Sequence, residues 1–210
     1  MDVKGILSKI SPDKRNRILN SAFEEFAKAG FERASTNEIV EKAGISKGLL
    51  FHYFGSKQQL YQLLIEFSYS YVTELLNQGI DWNQRDFFQR AEEITTLKLS
   101  AMQNYPHIYD FLRKATENLS MEDIKNRFPA DLAEINTRVY TENIDYSLFR
   151  RDIDLDKTIE IIQWTVERAT EKVWKNASTD MEIGNAIKEH REYMKILRTL
   201  VYQSDGRDQL

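Results

Sequence analysis

Apolar residues recur at three- and four-residue steps along most of the chain, and no convincing stretch alternates with period two between hairpin turns. This pattern predicts an all-α protein. The first stripe is Leu19, Ala22, Phe23 and Phe26, set between Ser11-Pro12 and Gly30. Serine can cap a helix, and proline suits the first turn, where its missing N–H is not needed. Glycine then ends the helix. Ser35-Thr36-Asn37-Glu38 has the spacing of a capping box and predicts a short helix over about Thr36 to Ala43. Gly44 allows a tight turn, and Ser46 opens a second short helix through about Tyr53. Ser56 and Gln59 repeat the box before a long helix, about Lys57 to Asn77.

Further helices are expected at about Gln84–Asn104, Pro106–Asn118 and Met121–Tyr146. Two long ones close the chain near Leu155–Lys175 and Asp180–Tyr202, the second opened by a box at Thr179 and Glu182. Their stripes are Ile159, Ile162, Val166, Ala169 and Val173, then Ile183, Ile187, His190, Met194, Leu197 and Val201. The expected architecture is thus about nine helices with a polar, frayed tail over Ser204–Leu210. The three prolines and eight glycines fall at plausible helix borders.

Charge changes the picture modestly. Over 210 residues the formal net charge is −4, which argues against a general nucleic-acid binder. Residues 1–60, however, hold ten Lys/Arg against seven Asp/Glu, a balance of +3, and the remaining 150 carry −7. A mildly basic end on an acidic body suggests that one end meets a polyanion. The absence of cysteine excludes disulfides and thiolate metal sites, and a cytoplasmic location is the default expectation. Neither a signal peptide nor an apolar run of membrane-spanning length is expected.

Thr36 to Phe54 has the form of a helix-turn-helix. A reading helix must enter a major groove about 12 Å wide, with a supporting helix behind it and a tight turn between them. Ile39, Val40 and Ala43 can bury one side of the supporting helix, and Ile45 and Leu50 can anchor the second. Lys47, Gly48, Leu49, Phe51, His52 and Tyr53 then lie nearer solvent. Periodicity alone reads Phe51 and Phe54 equally well as core, with His52 at the surface.

Residues 17–60 resemble the N-terminal domain of the TetR family of transcriptional regulators. The resemblance is carried by Arg17-Ile18-Leu19, Ala22, Phe26, Gly30-Phe31, Thr36, Ile39-Val40, Ala43-Gly44-Ile45-Ser46-Lys47-Gly48, Leu50-Phe51-His52-Tyr53-Phe54, Ser56-Lys57 and Leu60. It implies a three-helix DNA-binding domain over residues 1–56 and a larger helical effector-binding and dimerisation domain over 57–210. It also implies roles. Thr36 would contact phosphate at the N-terminus of the supporting helix, where free N–H groups favour an anion. Ser46, Lys47, Gly48 and Leu49 would read base edges. His52 and Tyr53 would contact phosphate or base, and Lys57 would bind phosphate at the start of the following helix. Phe51 departs from the family's usual tyrosine and loses a hydroxyl donor, which Tyr53 or His52 could replace. Leu49 is apolar where many relatives are polar and could meet a thymine methyl.

The last two stripes could pack within one monomer or form a dimeric four-helix bundle, and periodicity does not separate these. The resemblance implies the homodimer, with Ile162, Val166, Val173, Ile187, Met194 and Leu197 as interface candidates. Tyr105, His107, Phe111, Tyr140 and Trp164 are candidates for lining an effector pocket, though aromatics on helices more often fill cores. No nucleophile elbow, phosphate loop or zinc-protease motif occurs, and the three histidines are isolated. No catalytic residue, metal or cofactor is therefore expected, and no membrane. The reading is a repressor that binds a palindromic double-stranded DNA operator and is released by a small-molecule effector. Its rival is a helical interaction protein whose N-terminal fold is only structural. The sequence names neither the effector nor the operator.

Overall fold

A computed structural model of the chain describes residues 2–119, 130–176 and 180–203. These residues form ten α-helices and one 3-10 turn, without strands. The helices are α1 Val3–Ser8, α2 Pro12–Arg33, α3 Thr36–Ala43, α4 Lys47–Phe54, α5 Lys57–Gly79, α6 Phe87–Asn104, α7 Ile108–Thr116, α8 Ala130–Thr141, α9 Leu155–Asn176 and α10 Asp180–Val201. The 3-10 turn is Tyr146–Leu148.

Most borders follow the local signals. Gly30 breaks α2 at φ 71°, a left-handed conformation that glycine adopts without steric cost. Ser35, Ser46 and Ser56 each accept a bond from the amide three residues on. Ser11 makes no such cap bond; α2 begins on the preset φ of Pro12 instead. The helix expected to run on to Tyr146 ends at Thr141. Asn143 takes φ 59°, and Asp145 opens the 3-10 turn by accepting from Ser147 N at 3.1 Å. Residues 121–129 of that expected helix, the box residue Thr179, the Glu182 side chain and the tail from Ser204 lie outside the described residues. Helix α1 has no apolar stripe long enough to announce it. Asp2 Oδ1 caps it by accepting from Gly5 N at 2.9 Å, and buried Leu7 docks it, with α1 in contact with α5.

The described residues gather into two compact units. The first draws on Met1–Ile80 and Thr96–Val139. Its core takes Ile18, Leu19, Phe23 and Phe26 from α2, Ile39 and Ala43 from α3, Leu50 and Phe54 from α4, and Leu60, Leu63 and Leu64 from α5. Each such large apolar side chain contributes about 1.5–3 kcal/mol on burial. Helix α7 packs along α2, with Phe111 5.3 Å from Phe23 and 5.3 Å from Tyr61, ring centre to ring centre.

The second unit draws on Asp81–Thr95 and Tyr140–Leu210. Its core is Phe87, Phe88, Ala91, Ile144, Phe149, Ile162, Val166 and Met194. Asp86 ties this unit together. Its Oδ1 caps the start of α6 by accepting from Phe88 N at 2.9 Å, and its Oδ2 accepts from Arg198 Nη2 of α10 at 2.8 Å. Helices α9 and α10 pack on one another. Among the described residues no helix is long and apolar enough to cross a membrane, and no cluster of three acidic or histidine side chains could hold a metal.

Candidate nucleic-acid interface

The turn between α3 and α4 is built by its backbone. Gly44 lies in the left-handed region at φ 64°, ψ 44°. Its N–H donates to Glu41 O at 3.1 Å, and Ile45 N–H reaches Val40 O at 3.0 Å. Helix-end carbonyls are thereby satisfied at a sharp reversal. Arg17 Nε, from α2, donates to Ala43 O at 3.1 Å and holds the end of α3 from behind. Ser46 then caps α4 by accepting from Leu49 N at 3.2 Å.

Helix α4 divides into an inner and an outer side. Leu50 and Phe54 are buried in the unit's core. Ser46, Lys47, Gly48 and His52 are exposed, and Leu49, Phe51 and Tyr53 are half-buried. Phe54 is therefore core, His52 is surface, and Phe51 lies between. The rings of His52 and Tyr53 stand 5.6 Å apart. Beyond its chain neighbours and the backbone of its own helix, nothing lies within 4 Å of where a side chain on Gly48 would begin. The helix thus presents a stretch at its N-terminal end that a polyanion can approach closely. The first N–H groups there attract negative charge, and Lys47 adds a full positive one.

Thr36 is half-buried in the first turn of α3. Lys57 is placed differently from a free surface cation. Its Nζ donates to Glu32 O and Ala34 O, both at 3.1 Å, and stands 4.9 Å from the centre of the Phe31 ring. It holds the carbonyls of the α2–α3 link. Lys42 pairs with Glu24 at 2.5 Å. That hydrogen bond lowers the Glu24 pKa and raises that of Lys42. The pair is largely exposed and contributes little to stability.

Residues outside α3 and α4 complete the module. The carboxylate of Glu25, buried in α2, accepts from Ser35 N at 2.8 Å. Sequence reasoning passed over it, although a carboxylate within the Ala22–Phe26 stretch of an apolar stripe was a visible signal.

The candidates in the body do not gather in one place. Tyr105 and Phe111 are buried in the first unit, each in ring contact with Phe23. His107 precedes α7 and makes no side-chain cap bond. In the second unit, Tyr140 packs on Phe87 at 5.8 Å between ring centres, whereas Trp164 is 60% exposed. Of the interface candidates, Ile162, Val166 and Met194 point into their own unit's core, and Leu197 packs against it. Ile187 is half-buried, and the Val173 side chain lies outside the described residues. Turned outward on α9 are Ile161 and Trp164, and on α10 Tyr193, Ile196 and Leu200. Both helices are apolar on two sides, so periodicity alone did not say which side the monomer covers.

Comparison with known proteins agrees with this geometry. Residues 18–64 match the family of bacterial regulatory proteins, tetR family. An uncharacterized HTH-type transcriptional regulator, YdgC of Bacillus subtilis, is 24% identical, over 76% of this chain and 80% of its own. The HTH-type transcriptional repressor KstR2 of Mycolicibacterium smegmatis is 24% identical, over 72% of this chain and 75% of its own. A crystal structure of a TetR family transcriptional regulator from Chloroflexus aurantiacus shares the fold, with a TM-score of 0.64 at 17% identity over 94% of this chain and 97% of its own. The fold and the helix-turn-helix are those of the transcriptional regulators that the chain resembles. Residues 18–64 are thus similar to the N-terminal domain of the TetR family.

Proposed function

We propose that this regulator is a repressor that binds a palindromic operator as a homodimer and leaves it when a small molecule occupies its helical body. Residues 1–56 serve as the DNA-binding domain and 57–210 as the effector-binding and dimerisation domain. The observation that carries the reading is the outer side of α4, where Ser46, Lys47 and Gly48 stand exposed on a capped helix end behind a tight turn. Those three residues and Leu49 read base edges, Thr36 meets phosphate, and His52 and Tyr53 extend the contact along the groove. Lys57 joins the phosphate contacts with the third N–H of its ammonium, the other two being given to Glu32 O and Ala34 O.

One α4 reads too few base pairs to be selective. A two-fold dimer presents two, spaced for half-sites ~34–36 Å apart or a multiple of that. The outward stripe of Ile161, Trp164, Ile196 and Leu200 supports a second copy as its cover, since a monomer in water gains nothing from exposing it. The effector acts by binding one separation of the two reading helices better than the other; equal affinity for both would shift nothing.

Fluorescence anisotropy on the DNA upstream of the regulator's own gene tests this reading. Site-specific binding is expected, with log affinity falling against log salt by about 0.9 per neutralised phosphate. Absence of site-specific binding would overturn the reading in favour of a helical interaction protein.

A further inference from the structure

A capping box closes on itself. The serine oxygen takes the amide three residues on, and the glutamate there reaches back to the serine amide. At the start of α3 only the first half is made locally. Ser35 Oγ accepts from Glu38 N at 3.4 Å, a long bond, and Glu38 is exposed. The second half comes from another helix, because Ser35 N–H donates to Glu25 Oε1 of α2 at 2.8 Å.

Glu25 is only 7% exposed. Burying a carboxylate is unfavourable unless it is paired and hydrogen-bonded. Among the described residues Glu25 has no ion-pair partner, and the neighbouring Lys42 is bound to Glu24. Leucine would pack at this position with less desolvation. What the carboxylate supplies that leucine lacks is the bond to Ser35. That bond falls one residue before Thr36. The same link is gripped from α5, where Lys57 holds Glu32 O and Ala34 O. Its carbonyls are thus fixed from one side and its amide from the other.

We infer that Glu25 is a positioning residue for DNA binding: by completing the α3 cap from α2, it fixes where the N-terminus of α3 meets a phosphate. This rests on the DNA-binding reading above. Without the bond, α3 keeps only the long serine cap at its start, while α4 keeps its own cap and the Arg17 tie at the turn.

The test uses full-length Glu25→Leu, Glu25→Gln and Glu38→Ala, read by amide hydrogen exchange at Ser35 and by operator binding across a salt series. Glu25→Leu is expected to speed Ser35 exchange about tenfold or more and to flatten the salt slope by about 0.9, one phosphate. Glu25→Gln keeps an oxygen that accepts from the amide and should preserve both readouts. Glu38→Ala should change neither. Unchanged Ser35 protection or an unchanged salt slope in Glu25→Leu would overturn the inference, as would a glutamine variant that behaves like leucine. Should the leucine variant fail to fold, the glutamine variant decides by both readouts, since losing Ser35 protection or flattening the salt slope would sink the idea and keeping both would sustain it. If the wild type fails to bind DNA, the functional reading falls while Ser35 exchange still reports on the cap.

Discussion

Single residues in this protein act through backbone geometry and burial more than through charge. Gly44 has open space where a side chain would begin, so alanine there meets no obstacle. Its cost is the left-handed backbone alone, about 1–2 kcal/mol. Urea denaturation of Gly44→Ala should show that loss, and a loss below about 0.5 kcal/mol would mean the turn tolerates another conformation. Leu49 is a specificity candidate. Leu49→Ala should weaken binding to sites with thymine at the contacted position more than to the same sites carrying uracil, which lacks the methyl group. Equal losses on both would remove that role. His190 could be placed on a stripe from sequence, but its state could not. It is buried, with Nε2 3.0 Å from Thr95 Oγ1. That hydroxyl already donates to Ala91 O, so Nε2 carries the proton and donates. Nδ1 has no partner among the described residues. Burial lowers the pKa from the ordinary 6.5, and nearby Arg191 pushes the same way. The unfolded chain therefore takes up a proton before the folded one does. The stability from neutral His190 is complete above pH 6.5 and is lost as pH falls through the lowered folded value. The melting temperature should drop more steeply from pH 7.5 to 5 in the wild type than in His190→Asn; parallel curves would rule histidine out as the source.

Helices were legible wherever a cap or breaker stood beside a long stripe. Ser35, Ser46 and Ser56 each cap the helix that the spacing assigns to them. Ser46→Ala removes the side-chain acceptor for Leu49 N and should cost about 1 kcal/mol of stability. Because the proposed reading sets the same turn of α4 against DNA, operator affinity should fall with it, by more than for an alanine at exposed Gln58. An unchanged affinity would mean that the first turn of α4 does not depend on its cap. Helix α1 escaped notice for a physical reason. Six residues cannot sustain a helix in isolation, and what holds this one is the Asp2 cap, the burial of Leu7 and packing on α5. The capping box at Ser35 and Glu38 shows the opposite limit. Its spacing is correct, yet the partner of the Ser35 amide lies ten residues away on α2. A tertiary acceptor at 2.8 Å displaced the local one, which no local pattern encodes.

At the scale of the whole molecule, the question is which apolar surface remains after each unit has folded. Ile162, Val166 and Met194 are consumed by the core of the second unit, whereas Ile161, Trp164, Ile196 and Leu200 are each more than half exposed. Trp164→Glu with Ile196→Glu should therefore give a monomer by light scattering, with operator affinity reduced at least about tenfold through loss of the second half-site. A double variant that remains dimeric would place the interface elsewhere. The sequence by itself determined the helical class, most of the helix borders, the turn at Gly44 and the family that residues 18–64 resemble. Those depend on caps, glycines and stripes that act over a few residues. The tertiary structure alone decided which side of α9 and α10 faces outward, that Lys57 grips the α2–α3 link, and that Glu25 closes the cap of α3. Each of these depends on which groups folding brings together from distant parts of the chain, and a spacing pattern carries no record of that.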